Sequence, residues 1–202
     1  MFDYILRAKK LGWSVVVANP NVNDVSGVAM TGSETPHVHL QTLWRQYVDV
    51  REPSTVLVVA HSYGGPNVVH LLKTEEGARA RVKAVAFTDG GAFSGSLLQE
   101  VVPSGERAAA KPALVETLQA FADLAPAAFA PPSADVVRLL AAVGRNFVSS
   151  ALPAGTPVAA ELQGVLAVSA GHESHPATTH AAADKVFDFL LAGAEGKAEA
   201  AN

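Results

Sequence analysis

One stretch, Thr55–Pro66 (T-V-L-V-V-A-H-S-Y-G-G-P), narrows the possible folds more than any other. Thr55–Ala60 is a short β-branched apolar run, which predicts a strand buried on both faces of a parallel sheet. His61-Ser62-Tyr63-Gly64-Gly65 then predicts a sharp turn into a helix carried by Asn67-Val68-Val69-His70-Leu71-Leu72. A serine on such a turn, with small residues on both sides, has the pattern of a nucleophile elbow, in which Ala60 takes the place of the usual first glycine. The turn lifts the serine Oγ clear of the backbone. It also aims the next amide, that of Tyr63, toward a developing oxyanion. The plainer alternative is a Gly-containing turn that only starts a helix.

The flanking chain predicts further alternation of helix and strand. Phe2–Leu11 has helical spacing and stops at Gly12, and Trp13–Ala18 predicts a strand ended by Asn19-Pro20-Asn21. The stretch on to Ser33 reads as loop. Thr35-Pro36 opens a helix with proline in its first turn, followed by the stripe Leu40, Leu43, Trp44, Tyr47 and Val48, with Trp44 and Tyr47 read as core. After the elbow, a helix to about Arg79 leads into a strand over Val82–Thr88 that ends in Asp89-Gly90-Gly91. Residues 95–144 are rich in Ala and Pro and read as a helical, cap-like excursion or a linker, with helical spacing over Leu114–Leu124 and Val136–Val143. Gly164–Ser169 predicts a last strand and Thr178–Leu191 an amphipathic closing helix with Val186, Phe187, Phe189 and Leu190 facing in. The whole predicts one α/β domain over residues 1–193, built on a parallel, doubly wound sheet, with 194–202 as a frayed tail.

Composition excludes several function classes. The 202 residues include no cysteine, which removes disulfides, thiolate metal sites and cysteine nucleophiles. A net charge of −4 gives no general pull toward nucleic acid or anionic lipid. No apolar run approaches the length of a membrane span, and the N-terminus lacks a signal-peptide pattern, so an intracellular protein, cytoplasmic or nuclear, is expected.

Ser62, Asp89 and then His175 or His172 fall at the C-terminal ends of successive strands, the edge where open parallel sheets bind ligands. Serine, acid, histidine is also the chain order of α/β-hydrolase triads. A serine hydroxyl needs a neutral imidazole to accept its proton, and the imidazole needs a carboxylate to fix its tautomer. Each residue alone has an ordinary explanation, and His61 is either a pocket residue or a packed strand end. His37-x-His39 and the His172, His175, His180 group lack the spacing of a metal site, and no glycine motif matches a dinucleotide or Walker loop, so no metal and no cofactor is expected. A flavodoxin-like or Rossmann-type reading fits the alternation but has no phosphate loop.

Several pieces together resemble the argonaute-binding-protein-type (Arb-type) domain, shared with cotranscriptional-regulator proteins and with part of some class II histone deacetylases. They are Val17-Ala18-Asn19-Pro20-Asn21, His39 with Trp44, Val59-Ala60-His61-Ser62-Tyr63-Gly64-Gly65, Val85-Ala86-Phe87-Thr88-Asp89, Asn146-Phe147-Val148-Ser149-Ser150, Ser169-Ala170-Gly171 and Val186-Phe187-Asp188-Phe189. The resemblance implies a three-layer α/β-hydrolase-like fold with Ser62 as nucleophile, Asp89 as orienter, His175 as base (His172 in reserve) and the Tyr63 amide as oxyanion donor. It implies a small ester or acyl substrate if the site is active, or a non-catalytic interaction module with a protein partner. The chain departs from the family pattern at Pro176, where glutamate is expected, and at Gly90-Gly91-Ala92, where a serine and a nearby histidine are expected. It also shows no match to the upstream strand whose His-Gly loop supplies half of the oxyanion hole. In the implied fold that strand lies between Trp13–Ala18 and Thr55–Ala60. Either the chain begins inside the domain or these two flanking strands pair directly.

Overall fold

The computed structural model describes residues 2–90, 131–159 and 164–197. A parallel sheet of four strands organises them: β3 (Val56–His61), β4 (Val82–Thr88), β5 (Gly144–Val148) and β6 (Leu166–Ser169), hydrogen-bonded in that order. A two-stranded ribbon, β1 (Asp24–Val25) with β2 (Val28–Ala29), sits in the loop that precedes it. The helices are α1 (Phe2–Lys10), α2 (Pro36–Leu43), α3 (Gly64–Thr74), α4 (Glu76–Arg81), α5 (Ala134–Val143), α6 (Thr178–Ala181) and α7 (Ala183–Ala194). This is an α/β architecture with helices on both faces of the sheet. No helix among the described residues is long and apolar enough to cross a membrane.

Strand β4 shows how the sequence sets the two layers. Its residues alternate between faces. Val85 and Phe87 pack with Leu71, Leu72 and Leu140 on the α3/α5 side, together with Trp44, the residue after α2. Ala84 and Ala86 pack on the other side with Val186 and Leu190 of α7, and Tyr4 of α1 lies against the same cluster. Small residues on that face let the closing helix approach the strand closely. Gly193 marks the contact: a Cβ there would lie 2.6 Å from the Ala84 Cβ and 3.0 Å from the Lys83 carbonyl oxygen. Helix propensity alone favours Gly193→Ala by about 1 kcal/mol. The clash is with strand atoms that cannot swing away, so we expect the substitution to be destabilising by about 1–2 kcal/mol. A denaturation midpoint above wild type would contradict this close approach.

Helix α2 begins as its sequence indicates, with the Thr35 hydroxyl accepting from Val38 N–H (3.2 Å) and proline at the first turn. It then widens into a π-helical turn over Trp44–Val48. The wider turn breaks the 3.6-residue spacing. Trp44 is core at 3% exposure, but Tyr47 is 55% exposed, which corrects its reading as a core residue. The long helix expected after the elbow is two, because Glu75 takes an extended conformation between α3 and α4.

Trp13–Ala18 is not a strand. It has no regular secondary structure, its three valines are 40–53% exposed, and it pairs with none of the four strands. The direct pairing of the two flanking segments therefore does not occur, and among the described residues β3 is an edge of the sheet, with Val59 37% exposed. A β-branched run has the composition of a strand, but pairing needs a neighbour at about 4.8 Å. Among the elements not expected from the sequence are β5 and the small ribbon in the 19–33 loop. Residues 91–130, with most of the cap-like excursion and its Leu114–Leu124 helix, lie outside the described residues, as does the tail beyond 197. The Val136–Val143 helix is present as α5, capped by the Ser133 hydroxyl.

Candidate functional site

Ser62 sits between β3 and α3 with φ +52°, a left-handed conformation that costs a non-glycine residue on the order of 1–3 kcal/mol. The strain is held by backbone bonds on both sides. Ser62 N–H donates to the Thr88 carbonyl at the end of β4 (3.3 Å), and its own carbonyl accepts from Gly65 N–H (3.0 Å). Ala60, in place of the usual glycine, is buried, and Gly64 faces it closely enough that a Cβ there would make ordinary contact at 3.6 Å. Tyr63 follows as the residue before α3. Its hydroxyl lies 3.4 Å from His37 Nε2, and burial pushes its pKa up to about 12.

Asp89 directly follows β4, also with positive φ (+53°). Its backbone N–H donates to the Phe147 carbonyl (2.8 Å), and its Oδ1 accepts from Ser149 N–H (3.2 Å). Asn146 lies beside the next residue, accepting from Gly90 N–H at 3.3 Å. The acid is therefore gripped by the C-terminal end of β5. Its other oxygen, Oδ2, is 2.6 Å from His175 Nδ1. In a neutral imidazole that bond places the Nδ1 proton toward the carboxylate and leaves Nε2 to accept, the tautomer a general base requires.

His175 opens a 3-10 turn (His175–Ala177), and its carbonyl accepts from the Thr178 hydroxyl (2.9 Å). Pro176, where the resemblance expects glutamate, is a favoured residue at the start of such a turn. His61 packs against His175 with ring centroids 4.7 Å apart. Its Nδ1 donates to the Thr88 carbonyl (2.8 Å) and lies 3.2 Å from the Thr179 hydroxyl. His61 is thus an exposed strand-end residue lying against the dyad. His172 is separate from the dyad: its Nδ1 accepts from Ser174 N–H within its own turn (2.9 Å).

The arrangement contains a carboxylate–imidazole dyad and an elbow serine, but not the bond between them. Among the described residues Ser62 Oγ makes no hydrogen bond to His175 or His61. The β5 contacts of the dyad carry no role in the sequence reading, where Asn146-Phe147-Val148-Ser149-Ser150 enters only as a piece of the family resemblance. No group of three or more metal-ligating side chains is assembled among the described residues. His39 has another role: Nε2 accepts from Asn19 N–H (3.3 Å) and Nδ1 bonds the Ser33 hydroxyl (2.9 Å), which ties the 19–33 loop to α2.

Known proteins offer two similarities. The chain is 36% identical over 86 residues to the FAM172 family protein homolog Y75B8A.31 of Caenorhabditis elegans, covering 43% of this chain and 27% of that protein. It is 34% identical over 62 residues to the cotranscriptional regulator ARB2A homolog of Dictyostelium discoideum, covering 30% of this chain and 16% of that protein. The chain thus matches less than a third of the length of either relative. At this identity and coverage the two matches support an Arb-type or FAM172 relationship. No family model matches the chain, and no solved structure does.

Proposed function

We propose that this chain is an Arb-type regulatory module that binds a protein partner in the cotranscriptional machinery, on an α/β-hydrolase-like scaffold whose serine site is catalytically weak or silent. The observation that carries this reading is the missing link between Ser62 Oγ and His175 beside an otherwise well-held dyad. The name of the Dictyostelium relative supplies the regulatory context and suggests a nuclear or cytoplasmic location. In this reading residues 1–193 make one domain.

A second reading is favoured by the 2.6 Å contact between Asp89 and His175. It is a serine hydrolase of small esters, with Ser62 as nucleophile, His175 as base, Asp89 as orienter and the Tyr63 amide as oxyanion donor. Catalytic contacts often tighten only when substrate is bound. A general base in contact with the nucleophile typically contributes about 100- to 10,000-fold.

A fluorophosphonate probe separates the two readings. Under conditions that label an active serine esterase to completion, we expect this chain to react to roughly 1% or less, the loss expected for a serine whose hydroxyl has no general base in contact. Stoichiometric labelling that disappears in Ser62→Ala would overturn the regulatory reading and establish the second.

A further inference from the structure

Away from Ser62, on the α7 face of the sheet, a groove opens between β5, the 154–155 loop and α7. Arg145, Phe147, Val168, Lys185, Asp188 and Phe189 line it. Arg145 and Phe147 are two residues apart on β5 and so face the same side. Arg145 is half-buried on this face, beside a cluster of alanine, valine and phenylalanine. The Arg145 guanidinium lies over the Phe189 ring, its Cζ 5.2 Å from the ring centroid, a cation–π contact. Its Nε is buried and has no partner, and among the described residues the guanidinium makes no hydrogen bond or ion pair.

The other charges of the groove are compensated. Lys185 Nζ lies 3.9 Å from Asp188, and Lys197, at the mouth, pairs with Glu195 at 2.9 Å. One positive charge is left over, in a protein whose net charge is −4. A fixed fork of N–H donors matches the two oxygens of a carboxylate. One surplus charge suits a monoanion better than a phosphate dianion. Phe147, Val168 and Phe189 provide an apolar floor beside the fork, as in sites that hold an apolar body by shape and one polar group by direction.

We infer that this groove is a binding site for a carboxylate carried on an apolar or aromatic body, with Arg145 as the anion receptor. It is independent of the Ser62 site and does not rest on either reading of it. The carboxylate can come from a free organic acid or from the C-terminus of a peptide ending in an apolar residue.

The test is an NMR titration of the 15N-labelled full chain, following the Arg145 Nε–H resonance. 3-Phenylpropionate should bind saturably and at least about tenfold more tightly than 3-phenylpropanamide, as expected for a charge-assisted pair against a neutral one. Arg145→Met keeps the stem over Phe189 and should lose the same factor, whereas Ser62→Ala should leave binding unchanged. N-acetyl-Gly-Phe with a free C-terminus, tested beside its amide, assigns the source. Tighter binding than phenylpropionate points to a peptide end, and weaker binding to a free acid. Equal affinity for acid and amide, tighter binding of inorganic phosphate, or undiminished binding by Arg145→Met overturns the proposal. If Arg145→Met does not fold, an Nε–H resonance unmoved at saturating phenylpropionate overturns it on the wild-type protein.

Discussion

Phe147→Ala should cost about 3–5 kcal/mol of stability, the usual range for emptying a fully buried aromatic position. Phe147 is 1% exposed and packs among Ala84, Ala86, Val186 and Leu190, with the Phe189 ring edge-on at 6.4 Å. That position lies between the sheet and the closing helix, so the cavity could not be filled by a surface side chain. The effect should also reach the dyad. The Phe147 carbonyl accepts the Asp89 N–H, and Ser149, two residues further on, donates to the Asp89 carboxylate. A loosened β5 should therefore weaken the Asp89–His175 contact. Two measurements check this: a urea midpoint, and the downfield Nδ1–H signal of His175, which should broaden or vanish in the variant. Phe2→Ala is the control, because Phe2 is 84% exposed and its loss should change stability by no more than about 0.5 kcal/mol. Equal losses in the two variants would rule out this packing role.

The same residue shows where sequence reasoning stops. The elbow was legible because its information is local: an apolar run, a serine and two glycines within twelve positions. The α2 start was local in the same way, since Thr35 caps the helix that Pro36 opens. Strand β5 was not legible. It is five residues long, Arg145 and Asn146 interrupt its apolar pattern, and only its pairing with β4 and β6 makes it a strand. The grip of β5 on Asp89 went unseen with it. Trp13–Ala18 failed in the opposite direction, with strand composition and no partner. Gly193 carried no signal at all, because a close approach of helix to strand is a property of two distant segments. Asp89 and His175 were found from order along the chain, yet their contact across 86 residues depends on β5 and the turn at Pro176.

Lowering the pH from about 7 to 4 should remove about 2–3 kcal/mol of stability through His37 alone, the free energy of holding an imidazole neutral over that interval. His37 stands at the start of α2, 3% exposed, with the His70 ring 4.9 Å away and the Tyr63 ring 5.9 Å away. Burial drives its pKa down to about 4, and the neighbouring His70 and Lys73 add to the effect. His70 is lowered in the same direction, again by burial first and Lys73 second, with Glu75 opposing. In the unfolded chain a histidine titrates near 6.5. Between these values the unfolded state takes up a proton that the folded state refuses, so stability falls as pH falls. The contribution is complete above about 6.5 and is lost progressively toward 4. Carboxylates also titrate on the way down, which makes the wild-type curve alone ambiguous. His37→Gln resolves it, because the carboxylates are common to both proteins and glutamine has no charge to gain. Urea midpoints at several pH values should give a flatter curve for the variant, with a residual slope from His70, even if the variant starts lower at pH 7. Parallel curves would mean that the folded protein accommodates the His37 imidazolium, and the polar cluster joining α2 to the start of α3 could not then be a closed, charge-excluding contact.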